Sequence, residues 1–190
     1  MRKLIATEFM SLDGVIDSPG GDNEFVRGGW TFKFSDPEGG QFKVEETMSS
    51  GALLLGRTTY EGFAAAWPGR TDDAGFADKF NSMPKYVVSQ TLGQDDLTWE
   101  NSTLISGDVL AEIAKLKEQP GGDIVIHGSA ALVRSLLEHR VIDELRLMVF
   151  PIVLGTGNKL FGDTEDSVVL QLADSKVLAS GTLILTYHPA

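Results

Sequence analysis

Residues 52–61 read ALLLGRTTYE, and residues 123–132 read DIVIHGSAAL. Each stretch is a short apolar run followed by a glycine and then by the hydroxyl side chains that are typical of a helix start. The pattern predicts a buried strand that turns directly into a helix, once at Gly56 and again at Gly128. Two such turns in one chain indicate an α/β sheet.

The start of each helix is a candidate phosphate site. The first N–H groups of a helix have no partner within it, and its dipole leaves partial positive charge there. Two such starts in one small domain suggest a ligand with two separated phosphates, and a dinucleotide fits that description.

The rest of the chain is predicted to alternate strands with helices and to end in a hairpin. Asp36 and Pro37 are a typical N-cap and first helical residue. Segments 27–40 and 69–75 are interpreted as surface loops, and no linker divides residues 1–190 into more than one domain. The predicted strands are 3–9, 52–55, 85–89, 103–105, 124–126 and 143–150, the helices 37–50, 58–66, 108–118 and 130–139, and the hairpin strands 168–178 and 182–188.

Composition narrows the functional classes. The 190 residues carry a net charge of −11, which argues against a generic nucleic-acid or anionic-membrane binder. The absence of cysteine excludes disulfides and thiolate chemistry, and the three histidines share no metal-ligand spacing, so no metal site is expected. The apolar run after Met1 is too short for a signal peptide, and no stretch reaches the ~20 apolar residues of a membrane span, so a cytoplasmic protein is expected.

Four segments in this order resemble the dihydrofolate reductase fold. They are SLDG at 11–14, GRTTYE at 56–61, HGSA at 127–130, and VIDEL at 141–145 running into PIVLGTG at 151–157. The resemblance covers nearly the whole chain and is closer to the reductase domain of bacterial riboflavin biosynthesis and its stand-alone relatives. It implies an α/β fold with a mostly parallel mixed sheet, an antiparallel C-terminal hairpin and flanking helices.

The resemblance also implies NADPH bound across the carboxyl ends of the strands. The positions that match the cofactor-binding residues of the family are Gly56, Arg57 and Thr58 on the adenosine side, Ser89 and Gln90 at the 2′-phosphate or adenine, Gly128, Ser129 and Ala130 at the pyrophosphate, and Ile16 over the nicotinamide. The family usually has consecutive glycines at the pyrophosphate turn, whereas this chain has His127 before Gly128.

Several residues have two interpretations. Asp13 and Asp36 are candidate catalytic acids, but Asp13-Gly14 is also a common turn pair, and Asp36 has the residue type and position of an N-cap. His127 is either an acid or phosphate donor or a hydrogen-bonded structural histidine. The alternating aromatic residues Trp30, Phe32 and Phe34 either line a substrate cleft or form an edge strand.

These observations predict an NADPH-dependent reductase of a small polar heterocycle or a sugar-derived imine or carbonyl. The most specific candidate is 5-amino-6-(5-phosphoribosylamino)uracil reductase of riboflavin biosynthesis. Dihydrofolate reductase is an alternative. It is disfavoured because the position at which that enzyme carries its pterin-binding acid falls near Gly40, where this chain has no acid. A non-catalytic nucleotide-binding or dimerisation module is another. The long apolar C-terminal strands, with the resemblance, favour a homodimer.

Overall fold

The protein is described from a computed structural model, which describes residues 1–21, 25–162 and 166–190. Within these ranges, eight strands form one sheet, with five α-helices. The strands are β1 Leu4–Ser11, β2 Ser50–Gly56, β3 Lys85–Val88, β4 Ser102–Ile105, β5 Asp123–Ile126, β6 Glu144–Phe150, β7 Leu170–Val177 and β8 Leu183–Pro189. The helices are α1 Pro37–Ser49, α2 Arg57–Ala66, α3 Phe76–Ser82, α4 Val109–Glu118 and α5 Ala130–Glu138.

The strand order of the sheet is β4-β3-β2-β5-β1-β6-β8-β7. Strands β1 to β6 pair in parallel, and β8 and β7 are antiparallel additions at one edge. Strand β5 therefore lies between β1 and β2, so the carboxyl ends of these three strands are neighbours. Ligands of open α/β sheets bind at such carboxyl ends, where the strand order reverses.

Alternating side chains of the apolar strands supply a core to each face of the sheet. Leu54 of β2 belongs to the cluster that includes Ile113 of α4 and Val133 of α5. Its neighbour Leu53 belongs to a second cluster with Tyr60 of α2. The apolar run of β2 is thus explained by burial on both faces, as is usual for a parallel strand.

Helix α1 begins as the sequence predicts. The Asp36 carboxylate accepts hydrogen bonds from the N–H groups of Glu38 and Gly39. Gly39, which weakens the helix propensity, is explained by packing: a Cβ there would lie 3.1 Å from Leu178 and 3.3 Å from Met148. The small residue lets α1 pack closely on the sheet and hairpin.

Two expectations were wrong in detail, and one helix was missed. Trp30–Phe34 form a short 3-10 helix rather than an edge strand, with Trp30 buried and Phe32 exposed. Segment 27–40 is not only a surface loop, because α1 starts within it at Pro37. Helix α3 was missed, since its seven residues are too few to show a helical period.

The C-terminal hairpin was predicted correctly. Strands β7 and β8 pair antiparallel. In the turn, the Leu178 N–H donates to the Thr182 carbonyl, and the Gly181 N–H donates to the Leu178 carbonyl. No helix in the described part of the chain has the length and apolarity needed to cross a membrane.

Candidate active site

The two glycine turns predicted from the sequence lie against each other. A Cβ at Gly56 would come within 2.6 Å of the Ser129 hydroxyl oxygen, so only glycine allows this approach. Both turns open onto one cleft of about 390 Å³. The cleft is lined by Gly56, Arg57, Thr58, Val88, Val109, Leu110, Ser129, Ala131, Leu132, Ser135, Leu136 and His139.

Two helices therefore begin at the cleft. Helix α2 starts at Arg57 and has no side-chain cap on its first N–H groups, because its N-cap residue is Gly56. Helix α5 starts at Ala130. The hydroxyl of its N-cap, Ser129, accepts a hydrogen bond from the Leu132 N–H only, with an N–O distance of 3.5 Å. Uncapped backbone donors facing a cleft suit an anionic ligand.

Arg57, Ser89 and Gln90, which are predicted to contact the adenosine half of the cofactor, differ in their surroundings. The Arg57 side chain lines the cleft, is about half exposed, and lies 3.8 Å from Glu61. The buried Ser89 hydroxyl already accepts hydrogen bonds from the Thr91 and Leu92 N–H groups, while Gln90 is exposed. Of this group, Arg57 is therefore the residue that the fold presents to a ligand.

A buried carboxyl group, that of Glu8, contacts the turn at Gly128, which is the predicted pyrophosphate site. The Gly128 N–H donates to Glu8 Oε1 at 2.7 Å. Burial raises the pKa of Glu8 to about 8; the Gly128 hydrogen bond and the Lys43 charge oppose this increase, and the Glu46 charge adds to it. Gly128 adopts φ +78°, and a Cβ there would lie 3.1 Å from Thr59 Oγ1.

His127 is partly buried, with its ring edge-on to Phe80 at 5.6 Å. Desolvation, with the nearby Lys43 charge, lowers the pKa of His127 to about 3. The imidazole is therefore neutral at physiological pH. This environment favours the structural interpretation of His127 over the acid.

A second cavity, of about 200 Å³, lies between α1 and the sheet. We call it the α1 cavity. Five of its twelve lining residues have aromatic or large aliphatic side chains, and Asp36 and Lys43 are its charged residues among those described. It is lined by Phe9, Thr31, Phe34, Ser35, Asp36, Gly39, Gly40, Lys43, Met148, Phe150, Leu178 and Thr182.

Lys43 is anchored by a polar cluster beside this cavity. Its ammonium group contacts Glu46, one turn later on α1, and donates to Thr7 Oγ1 at 2.9 Å. The other Glu46 oxygen accepts from Arg146 Nη1 at 3.1 Å, and Arg146 Nε donates to Glu144 at 2.6 Å. We call Thr7, Lys43, Glu46 and Arg146 the α1 polar cluster.

Sheet register explains why these residues meet. Thr7 of β1 pairs with Arg146 of β6, so their side chains lie side by side on the face that α1 covers. Lys43 and Glu46 are three residues apart on one face of α1. Strand β1 thus contributes Thr7 to the α1 polar cluster, and its next residue, Glu8, contacts the turn at Gly128.

Comparison with known proteins decides the family. A model of the RibD C-terminal domain matches residues 2–184. The chain belongs to the RibD C-terminal domain family. Because this family is reductase-like, the chain is an oxidoreductase of the type found in the riboflavin pathway.

Similar proteins agree with membership of the RibD C-terminal domain family. The chain is 27% identical over 190 residues to the "Uncharacterized protein YyaP" of Bacillus subtilis (strain 168), covering 98% of this chain and 95% of that protein. A crystal structure from Shewanella sp. PV-4, provisionally named as a riboflavin biosynthesis protein, is 25% identical with a TM-score of 0.76 over 99% of both chains.

A dihydrofolate reductase of Enterococcus faecalis, solved with NADP(H), shares the fold. It is 18% identical, with a TM-score of 0.59 over 98% of this chain and 96% of that one. The predicted dihydrofolate reductase-like sheet and the RibD branch are therefore both confirmed.

The two candidate acids have structural partners. Asp13 accepts hydrogen bonds from the Ser11 hydroxyl and from the Leu154 and Gly155 N–H groups, and these lower its pKa to about 2. It ties the loop after β1 to the loop after β6 and stays ionised, which does not suit a proton donor.

Asp36 is similarly engaged, although it borders the α1 cavity. Besides capping α1, it accepts from the Ser180 N–H at 3.0 Å, and these backbone hydrogen bonds lower its pKa. Ile16 lies in the segment that pairs with the loop after β6, its N–H bonded to the Asn158 carbonyl. Ala130, the first residue of α5, is buried beside the cleft.

Sequence reasoning missed the α1 polar cluster and Glu8. A Lys-x-x-Glu pair in a predicted helix and a glutamate inside an apolar strand were the available signals. Within residues 1–21, 25–162 and 166–190, no group of three or more histidine, aspartate or glutamate side chains could hold a metal ion.

Proposed function

We propose that the chain is an NADPH-dependent reductase of a small polar heterocycle or a sugar-derived imine or carbonyl. The observation that carries the proposal is the close approach of Gly56 to Ser129. It brings the first residues of α2 and α5 to one cleft. Membership of a reductase-like family supports the same reaction class.

The cleft residues fit a dinucleotide. The first N–H groups of α2 and the turn at Gly128 and Ser129 would hold phosphates, and Arg57 would hold the adenosine side. The apolar side chains of Val109 and Leu110 would cover the adenine. When bound, a reduced nicotinamide supplies a hydride.

The α1 cavity is the proposed substrate site. Its volume, about 200 Å³, lies below the 300–1,000 Å³ of sites for drug-sized ligands, so it suits one or two fused rings. Phe9, Phe34 and Phe150 provide flat apolar walls for such a ring.

Arg57→Ala is expected to weaken NADPH binding about 10- to 100-fold and NADH binding much less. A charge-assisted hydrogen bond to the 2′-phosphate contributes about 1.5–3 kcal/mol, and NADH lacks this phosphate. Fluorescence titration of wild type and variant with both cofactors measures the ratio.

The matched control for Arg57→Ala is Arg70→Ala. Arg70 is exposed and stacks on Trp67, and it does not line the cleft. It should leave both affinities unchanged. Equal NADPH and NADH affinities in the wild-type protein would remove Arg57 from the proposed role.

A panel of acceptors tests the reductase itself. NADPH binding is first confirmed by fluorescence, and oxidation is then followed at 340 nm with the phosphoribosylaminopyrimidine of riboflavin biosynthesis, other small imines and carbonyls, and dihydrofolate. Turnover of one of the first two classes supports the proposal. Binding without any turnover favours a non-catalytic nucleotide-binding module, and efficient reduction of dihydrofolate identifies a dihydrofolate reductase.

We also propose a homodimer formed through the outer face and edge of β7. This strand ends the sheet, and its Leu172 and Val177 side chains are 51% and 74% exposed. Light scattering at micromolar concentration should give twice the 20.5 kDa chain mass, and a double lysine replacement of Leu172 and Val177 should halve it. A wild-type mass near 20.5 kDa contradicts the dimer.

A further inference from the structure

The α1 cavity carries an ammonium group where an occupant can reach it. Lys43 lines the cavity, and its side chain is 15% exposed. The Nζ atom lies 5.3 Å from the centre of the Phe9 ring, which is itself a cavity wall. The charge therefore borders the surface on which a flat ring would lie.

Lys43 has donor capacity left for such an occupant. An ammonium group has three N–H donors, and the structure gives Nζ two partners among the described residues, Thr7 Oγ1 and Glu46. One N–H remains. Because Glu46 is buried and fixed in turn by Arg146, the ammonium is held in place before a ligand binds.

The other charged residue of the cavity does not compete for this role. The Asp36 carboxylate accepts three backbone N–H groups, from Glu38, Gly39 and Ser180. The cavity therefore offers a ligand a fixed donor at Lys43, while the carboxylate oxygens of Asp36 already accept backbone hydrogen bonds.

We propose that Lys43 is a substrate-binding residue that donates a hydrogen bond to a carbonyl oxygen of a flat heterocycle in the α1 cavity. This role of Lys43 rests on the proposed function, in which the α1 cavity is the substrate site. The proposal names the substrate class. It consists of rings that present a carbonyl group to the protein, rather than rings that present an amino or amidine donor to a carboxylate.

Two probes with one skeleton test the donor. Pteridine-2,4-dione carries carbonyl groups where pteridine-2,4-diamine carries amino groups, so the pair differs in acceptors and donors at the same positions. We expect the wild-type protein to bind the dione about 10- to 100-fold more tightly than the diamine, by isothermal titration calorimetry with and without saturating NADP⁺.

Variants assign the preference to Lys43. Lys43→Met should lose the preference, and Lys43→Arg should retain part of it. Lys33→Met is the matched control, because Lys33 is exposed on the 3-10 helix and does not line the cavity. Thermal unfolding checks that each variant is folded.

Each result has one meaning. Failure of the wild-type protein to bind the dione, or equal affinity for both probes, overturns the assignment, as does an unchanged preference in a folded Lys43→Met. NADPH binding is measured separately, so its absence would overturn the proposed function, while the titrations without cofactor still decide the role of Lys43.

Discussion

Gly128→Val is expected to weaken NADPH binding at least 100-fold while the chain keeps its fold. Gly128 adopts φ +78°, in the left-handed region, and a Cβ there would lie 3.1 Å from Thr59 Oγ1. A branched side chain would strain the turn by about 1–3 kcal/mol and fill the space proposed for the pyrophosphate. NADPH fluorescence titration measures the loss, and circular dichroism with thermal unfolding checks the fold.

A second glycine separates backbone strain from obstruction of the site. Gly69 has φ +77°, and a Cβ there would meet nothing within 4 Å. Gly69→Val should therefore carry comparable strain and bind NADPH like the wild-type protein. If folded Gly128→Val kept wild-type affinity, the pyrophosphate would have to bind elsewhere.

The cleft could be predicted from the sequence because its signals are local. Gly56 and Gly128 each follow an apolar run and precede a helix, and the carboxyl ends of parallel strands meet at one edge of a sheet. The contact between Gly56 and Ser129 then depends only on β5 lying beside β2. The helix cap at Asp36 is local in the same sense.

The α1 polar cluster could not be predicted because its contacts join distant parts of the chain. Thr7 meets Lys43 across 36 positions, and Glu46 meets Arg146 across 100. Those contacts depend on the pairing of β1 with β6 and on how α1 crosses them. The sequence alone specifies neither the register nor the crossing.

The position of a residue in the fold was easier to predict from the sequence than its hydrogen-bond partners, which decide its role. Asp13 lies in a loop that carries a family signature, yet three hydrogen-bond donors make it a clamp between two loops. Ser89 ends β3 as predicted, but its hydroxyl accepts the N–H groups of the next turn. Whether a polar side chain is free for a ligand depends on neighbours that only the fold supplies.

Glu8→Gln is expected to stabilise the protein at alkaline pH and to change its stability little at pH 5. Burial raises the pKa of Glu8 from an ordinary 4.5 to about 8 in the native state. Between these values the native state holds a proton that the unfolded state has lost, so unfolding releases it and stability falls as the pH rises. A neutral glutamine keeps an oxygen acceptor for the Gly128 N–H and carries no such dependence.

The size of this effect follows from the pKa difference. Each pKa unit corresponds to about 1.36 kcal/mol, so by pH 9 the gain in the free energy of unfolding should reach a few kcal/mol. Urea unfolding at pH 5, 7 and 9 measures it, with the exposed Glu138→Gln as the control for net charge. A pyrophosphate at Gly128 would oppose ionisation of Glu8 further, so NADPH affinity should fall above pH 8 in the wild-type protein and stay level in Glu8→Gln. Parallel stability curves for the two proteins from pH 5 to 9 would show that Glu8 does not hold its proton in the folded state.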